Sequence, residues 1–325
     1  MLDRSKIVGW LISGCAAFAL ASCSMPGGVR YYEPDRAVET MRVLSADIMQ
    51  GRRAGSEGIA AARAYLLVQL QQLGVQPYFE TYEQHFSISQ KRSDGTNFSA
   101  EGINLIAKVA GTNLSAPGAA PALVVSAHYD HEGIQDNQIY NGADDNASGV
   151  GALFAVAESF KNRPPEHDTL FVLFDAEEIG LLGAQTFVNR LDELAPTCVA
   201  MNLNLDMVSR SDKNELYVAG TFHTPQLKAV IDEVAAQAPV KLLQGHDRPE
   251  DGSGDWTLQS DHGSFHQVGI PFVYFGVEDH PHYHKPSDVF ETVPLDFYKR
   301  SIETIELASR RLNQELMEFG GHCNQ

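Results

Sequence analysis

Two hydrophobic rhythms alternate along this chain. Between Asp35 and Gln50 the apolar positions Val38, Met41, Leu44 and Ile48 recur at helical spacing, and Asp35 suits the N-cap. A turn over 51–58 precedes a second predicted helix over 59–73, which Gly74 stops. Residues 75–89 mix aromatic and β-branched with polar side chains and read as an edge strand or hairpin arm, and 98–110 read as another strand. Residues 122–127 are unbroken apolar, as expected of a strand covered on both faces. Beyond them the rhythm predicts helices at 147–161, 180–190 and 224–238, and strands at 169–174, 198–205, 216–218, 240–243 and 270–275. A long amphipathic helix over 295–319 closes the pattern. Strand and helix in alternation predict an α/β fold, a mixed and mostly parallel sheet with helices on both faces. No internal repeat or long low-complexity linker interrupts 35–325, which reads as one catalytic domain.

Composition narrows the partners. A formal net charge of -18 over 325 residues argues against nucleic acid or an anionic membrane surface, both of which need a basic footprint. Residues 1–23 read as an export leader, with Arg4 and Lys6 before an apolar stretch too short to span a bilayer. Leu20-Ala21-Ser22-Cys23 resembles the lipobox of bacterial lipoproteins, which predicts lipid on Cys23 as the one membrane link. An ordinary secretory signal with an incidental cysteine is the alternative. Ser24 after the cysteine is compatible with sorting to the outer membrane, facing the periplasm, and residues 24–34 read as a tether. Cys15 leaves with the leader; Cys198 and Cys323 are open to pairing in an oxidising compartment, which the sequence leaves undecided.

The chemistry gathers around Asn141-Gly142-Ala143-Asp144-Asp145-Asn146-Ala147-Ser148-Gly149. An aspartate in such a Gly-rich turn offers two oxygens, enough to hold two cations about 3.5–4 Å apart. Further donors stand just beyond buried strands: His128, Glu177-Glu178 and Asp206, with His284 later. Charged groups at the ends of apolar strands are costly unless compensated, and a shared cation compensates them. Imidazole and carboxylate together select zinc over calcium or magnesium. Asp130, two residues after His128, is placed to accept the second ring N–H. Adjacent Glu177 and Glu178 point in different directions, so one can bind metal while the other moves protons. Arg52 and Arg53 are placed either to meet a substrate carboxylate or to face solvent.

In order and spacing, His128-Tyr-Asp130, Gly142-Ala-Asp-Asp145-Asn-Ala-Ser-Gly149, Ala176-Glu177-Glu178-Ile-Gly-Leu, Asn204-Leu-Asp206-Met and Tyr283-His284-Lys-Pro-Ser-Asp288 resemble the di-zinc aminopeptidases of metallopeptidase family twenty-eight. The resemblance reaches upstream to 51–58 and 102–107. It implies a three-layer α/β sandwich around a mixed sheet of about eight strands, two zinc ions and peptide substrates. Asp145 would bridge the ions, His128 and Asp206 would complete one site, and Glu178 and His284 the other. Glu177 would be general base and acid, and Asp130 would orient His128. Tyr283 would donate to the oxyanion, packing being the competing role. His282 is the rival to His284, His262 shapes the cleft or packs structurally, and His131 stays unassigned. Many relatives carry a protease-associated insertion, for which the interval between Gly74 and Asn104 is too short. Competing readings are a glutaminyl cyclase, a carboxypeptidase that needs an arginine cluster, and a non-catalytic binding lipoprotein. Residues 245–260 and 265–277 are the candidates for shaping a specificity pocket; oligomeric state is open.

Overall fold

The chain enters the fold at a proline, where helix α1 (Pro34–Leu44) starts with Glu33 in the N-cap position. Asp35 therefore lies in the first turn and not at the cap: proline's fixed φ and missing N–H suit the first helical position. The computed structural model describes residues 30–91, 95–113, 120–320 and Cys323. The leader expected at 1–23 and residues 24–29 of the tether lie outside the described residues. Tyr31–Gln325 forms one compact unit. Helix α2 (Glu57–Leu73) is capped by Ser56, whose Oγ accepts the Ile59 N–H, and ends at Gly74 in the left-handed conformation.

Pro77 splits the arm expected over 75–89. Strand β1 (Gln76–Pro77) and strand β2 (Glu83–Lys91) both pair antiparallel with the long β3 (Asn97–Val109). Strand β4 (Ala120–His128) leads into a small hairpin, β5 (Gly133–Gln135) and β6 (Gln138–Tyr140), which the hydrophobic pattern did not reveal. Its turn is Asp136-Asn137, both at positive φ, the geometry that lets two residues reverse a twisted pair. Helix α3 (Gly149–Asn162) starts later than predicted because 143–148 turn inward. Then follow β7 (Asp168–Phe174), α4 (Leu182–Asn189), β8 (Thr197–Leu205), β9 (Glu215–Ala219), α5 (Leu227–Ala235) and β10 (Lys241–Gln244). After a loop with a short helical turn at Pro249–Gly254 come α6 (His262–Gln267), β11 (Phe272–Gly276), α7 (Leu295–Gln314) and α8 (Leu316–Phe319), the predicted long helix being broken at Glu315.

The main sheet has nine strands in the order β1-β3-β7-β4-β8-β11-β9-β10, with β2 also on β3. Its centre, β7-β4-β8-β11, is parallel; β3 and β9 run against it, so the sheet is mixed. Alternate residues feed two cores. Leu123, Val125, Ala127, Phe171 and Leu173 join the side packed by α1, α2, α3, α5 and α7. Ala122, Val124, Leu170, Val172 and Phe174 join the other, under α4 and α6. That period of two, apolar on both faces, is why the central strands read as unbroken hydrophobic runs. No helix among the described residues is long and apolar enough to cross a membrane.

Cys198 on β8 and Cys323 are disulfide-bonded across 125 residues of sequence. The bridge pins the C-terminal turn beside Leu316 and Phe319, which are buried in the first core. A crosslink over so long a loop removes much unfolded-state entropy, so Cys198→Ser with Cys323→Ser is expected to lower stability by about 3–5 kcal/mol. A urea titration of oxidised and double-variant protein measures it; coincident midpoints would contradict it.

Candidate metal centre

His128, the Glu177-Glu178 pair and Asp206 stand at the carboxyl ends of β4, β7 and β8, where open α/β sheets present ligands, while Asp145 lies in the turn before α3 and His284 in the loop after β11. The turn before α3 is tied down at almost every polar atom. Gly142 has φ +56, and a Cβ there would lie 2.0 Å from the Asp145 carbonyl oxygen, so only glycine fits. Asn146 donates to Leu205 O (2.9 Å) while its Oδ1 accepts from the N–H groups of Gly149 (3.0 Å) and Met207 (3.3 Å). Asp144 turns away from the cleft; its Oδ1 accepts from the Ser209 N–H and hydroxyl, both at 2.7 Å, and its Oδ2 meets His280 Nε2 at 2.9 Å. Asp288 Oδ2 accepts the N–H groups of Asp144 (2.9 Å) and Asp145 (3.2 Å), and Arg210 holds Asp288 Oδ1 at 2.9 Å. Asp145 is thereby left facing inward.

Its two oxygens face different histidines. Oδ1 lies 3.4 Å from His128 Nε2, which is 3.2 Å from Asp206 Oδ1. Oδ2 lies 3.1 Å from His284 Nε2, which is 3.6 Å from Glu178 Oε2. Donors about 2.0–2.1 Å from a tetrahedral zinc are separated from one another by about 3.3 Å. The four separations match that edge length. His128/Asp145/Asp206, His128/Glu177/Glu178, His131/Asp145/Glu178 and Glu132/Glu178/His284 each offer donors within 4.8 Å of one another. A borderline divalent cation fits this set by spacing and by donor type.

The neighbouring charges are set for a cation. Burial, joined by nearby acids, pushes the carboxyls of Glu177 and Glu178 well above the usual range. Burial acts the same way on Asp145, but His131, His128 and His284 outweigh it and hold its pKa well below the ordinary value. Burial disfavours a charged His284, yet Asp145, Glu178 and Glu132 raise it to about 9. Crowded acids paying for their ionisation are relieved by a positive ion.

Asp130 does more than the sequence implied. Its carboxylate accepts the N–H groups of Glu177 (3.0 Å) and Glu178 (3.4 Å), fixing the glutamate pair, and lies 3.7 Å from His128 Nδ1. The nearer acceptor for that ring nitrogen is the backbone carbonyl of Asp130, at 3.3 Å. Tyr283 is half-buried, lines the cleft and stacks on the His284 ring, centroids 3.9 Å apart. His282 faces Ser287 outside the cluster, and His262 is buried against Phe272 and Tyr274 with Nε2 near Trp256 O.

The arginine expectation is corrected for Arg52 alone, Arg53 being exposed. Arg52 is fully buried and meets neither solvent nor cleft; it donates to the carbonyls of Leu44, Tyr129, Asn141 and Gly142. Arg53 donates to Glu132 O at 3.2 Å. Glu132 and Arg210 went unread in sequence, and His131 was named there without a role; all three are part of the site's surroundings. The run of polar residues after His128 was the available signal for His131 and Glu132. Arg210 carried none, being an arginine in a polar loop.

The cleft, about 360 Å³, is walled by Met207, Trp256, Leu258 and Tyr274 opposite the donors. The fold and this cluster define a candidate histidine–carboxylate metal centre at the carboxyl edge of a mixed α/β sheet. Residues 104–308 match Peptidase family M28, and the chain belongs to that family. Aminopeptidase YwaD of Bacillus subtilis is 31% identical over 197 residues, 57% of this chain and 39% of YwaD, less than two thirds of that relative's length. The structure of BSAP, a zinc aminopeptidase from Bacillus subtilis, superposes with TM-score 0.69 at 18% identity over 87% of this chain and 96% of the other. Porphyromonas gingivalis glutaminyl cyclase gives 0.65 at 21% identity, over 88% and 100%.

Proposed function

We propose that this chain is an aminopeptidase that releases N-terminal residues from peptides, with residues 35–325 as its one catalytic domain. The observation that carries the reading is the pair of Asp145 oxygens turned toward two different histidines. Two zinc ions would be held, one by His128, Asp145 and Asp206, the other by Asp145, Glu178 and His284. When bound, zinc polarises a carbonyl and brings the pKa of water to about 7. Glu177 takes the proton from the attacking water and passes it to the leaving amine. Asp130 holds the backbone of Glu177 and Glu178 while this happens. Tyr283 donates to the oxygen of the scissile carbonyl as charge develops there.

Charge argues for the amino end of a peptide. Among the described residues lining the cleft none is lysine or arginine, and Asp279 adds a carboxylate at the rim. A site that selects a terminal carboxylate needs a cation, whereas an ammonium group is drawn to acids, which disfavours the carboxypeptidase reading. The glutaminyl cyclase reading has the same fold in its favour and one metal ion as its signature. Export follows from the leader and the Cys23 lipobox, and the Cys198–Cys323 bridge suits an oxidising compartment.

Treatment with 1,10-phenanthroline is expected to abolish hydrolysis of leucine p-nitroanilide, zinc to restore it, and elemental analysis to count two ions per chain. One ion per chain with cyclisation of N-terminal glutamine would replace this reading by the cyclase.

A further inference from the structure

We propose that His131 is the positioning residue that decides which oxygen of Glu178 is presented to the corner shared with His284; this rests on the two-zinc reading. His131 Nδ1 lies 2.6 Å from Glu178 Oε1, and the opposite oxygen, Oε2, is the one 3.6 Å from His284 Nε2. A glutamate reaches a cation through either oxygen or both, and three side-chain torsions let it turn. An N–H bond to Oε1 takes one oxygen out of play and fixes the other. With a cation bound the Glu178 carboxylate is ionised and accepts only, so Nδ1 then carries the hydrogen.

The ring is locked for this task. His131 is 1% exposed, its backbone N–H donates to Arg52 O at 3.2 Å, and Gly142 lies so close that a Cβ there would be 2.5 Å from the ring. Nε2 is buried with no hydrogen-bond partner among the described residues. A side chain that only filled space would be better apolar, because an unpaired buried nitrogen costs free energy. The imidazole is explained by what Nδ1 does. The next residue serves the same corner, since Glu132 Oε1 lies 3.4 Å from His284 Nδ1. Consecutive side chains thus hold the two donors that complete that corner, one on Glu178 and one on His284.

Asparagine places its amide nitrogen where imidazole has Nδ1, and glutamine places it nearer Nε2, so the two substitutions separate a directed N–H from bulk. Zinc content by elemental analysis, with competition against a fluorescent chelator, reads both binding constants in wild type, His131→Asn, His131→Gln and His131→Ala, each checked for folding by circular dichroism. His131→Asn is expected to stay within about threefold of wild type. His131→Gln and His131→Ala are expected to weaken one site by at least about tenfold, leaving one ion tightly held. Glutamine binding like wild type, or asparagine as weak as alanine, would make His131 a filler and overturn the proposal. If His131→Ala fails to fold, the asparagine and glutamine pair still decides. A wild-type count below two would instead remove the two-zinc reading, and this proposal with it.

Discussion

Glu177→Gln is expected to lower kcat on aminoacyl substrates by about a thousandfold while zinc content stays at the wild-type value. The two side chains have the same shape, and the contact that fixes this segment, Glu177 N–H to Asp130 Oδ1 at 3.0 Å, belongs to the backbone and survives. What goes is the capacity to accept a proton from water. Because Glu177 lies in the cleft beside His128 and Glu178, a second role is sterically open to it, as a metal donor in the trio those three form. The paired measurement separates the roles. A rate loss with metal retained identifies a base, and a rate loss with metal lost identifies a ligand. Unchanged kcat would remove Glu177 from the chemistry altogether.

The donors converge because the residues behind them leave them little freedom. Asp145 is aimed by two backbone bonds to Asp288, and Asp288 is steadied by Arg210, which also donates to Thr292 O at 2.7 Å. Asp130 does for the glutamate pair what Asp288 does for the turn. In both cases a buried carboxylate accepts adjacent N–H groups, so the direction of the next side chain is set by backbone hydrogen bonds. That arrangement costs desolvation, which several N–H donors repay.

Much of this was legible in the sequence where local pattern carries the information. The apolar run ending in His128 predicted a doubly covered strand, and β4 feeds both cores. That His128, Glu178 and Asp206 come together followed from strand ends converging on one edge of the sheet, whereas Asp145 and His284, on loops, were legible only through the family resemblance. The hairpin β5–β6 escaped because six strand residues, partly exposed, leave too short an alternation. Helix α3 was predicted two residues early, since Ala147 and Ser148 continue the run of small residues that opens the helix while 143–148 as a whole are held in the irregular turn that presents Asp145. The role of Arg52 was illegible for a plainer reason. Its acceptors are carbonyls at Leu44, Tyr129, Asn141 and Gly142, and no sequence pattern says which distant carbonyls one guanidinium will reach.

Arg52→Met is expected to cost about 3–5 kcal/mol of stability, comparable to breaking a buried charged network. The guanidinium reaches Leu44 O and Asn141 O at 2.7 Å and Tyr129 O and Gly142 O at 3.0 Å. Methionine fills part of the volume and leaves all four carbonyls without that donor, inside a region water does not reach. Burial lowers the Arg52 pKa to about 10, against the opposing pull of Asp145 and Asp130, so the group stays charged at neutral pH and offsets part of the acid excess nearby. Arg52→Lys keeps that charge but not the planar fork, and is expected to recover only a minor part of the loss. Urea midpoints of the three proteins, taken with zinc saturating and again with chelator, test both halves of the argument. Tyr129 and Gly142 adjoin the segments that carry His128 and Asp145, so the methionine protein should also gain less from zinc than wild type does. Equal midpoints for methionine and arginine would mean that the four carbonyls find other donors, and that Arg52 does not join the two halves of the centre.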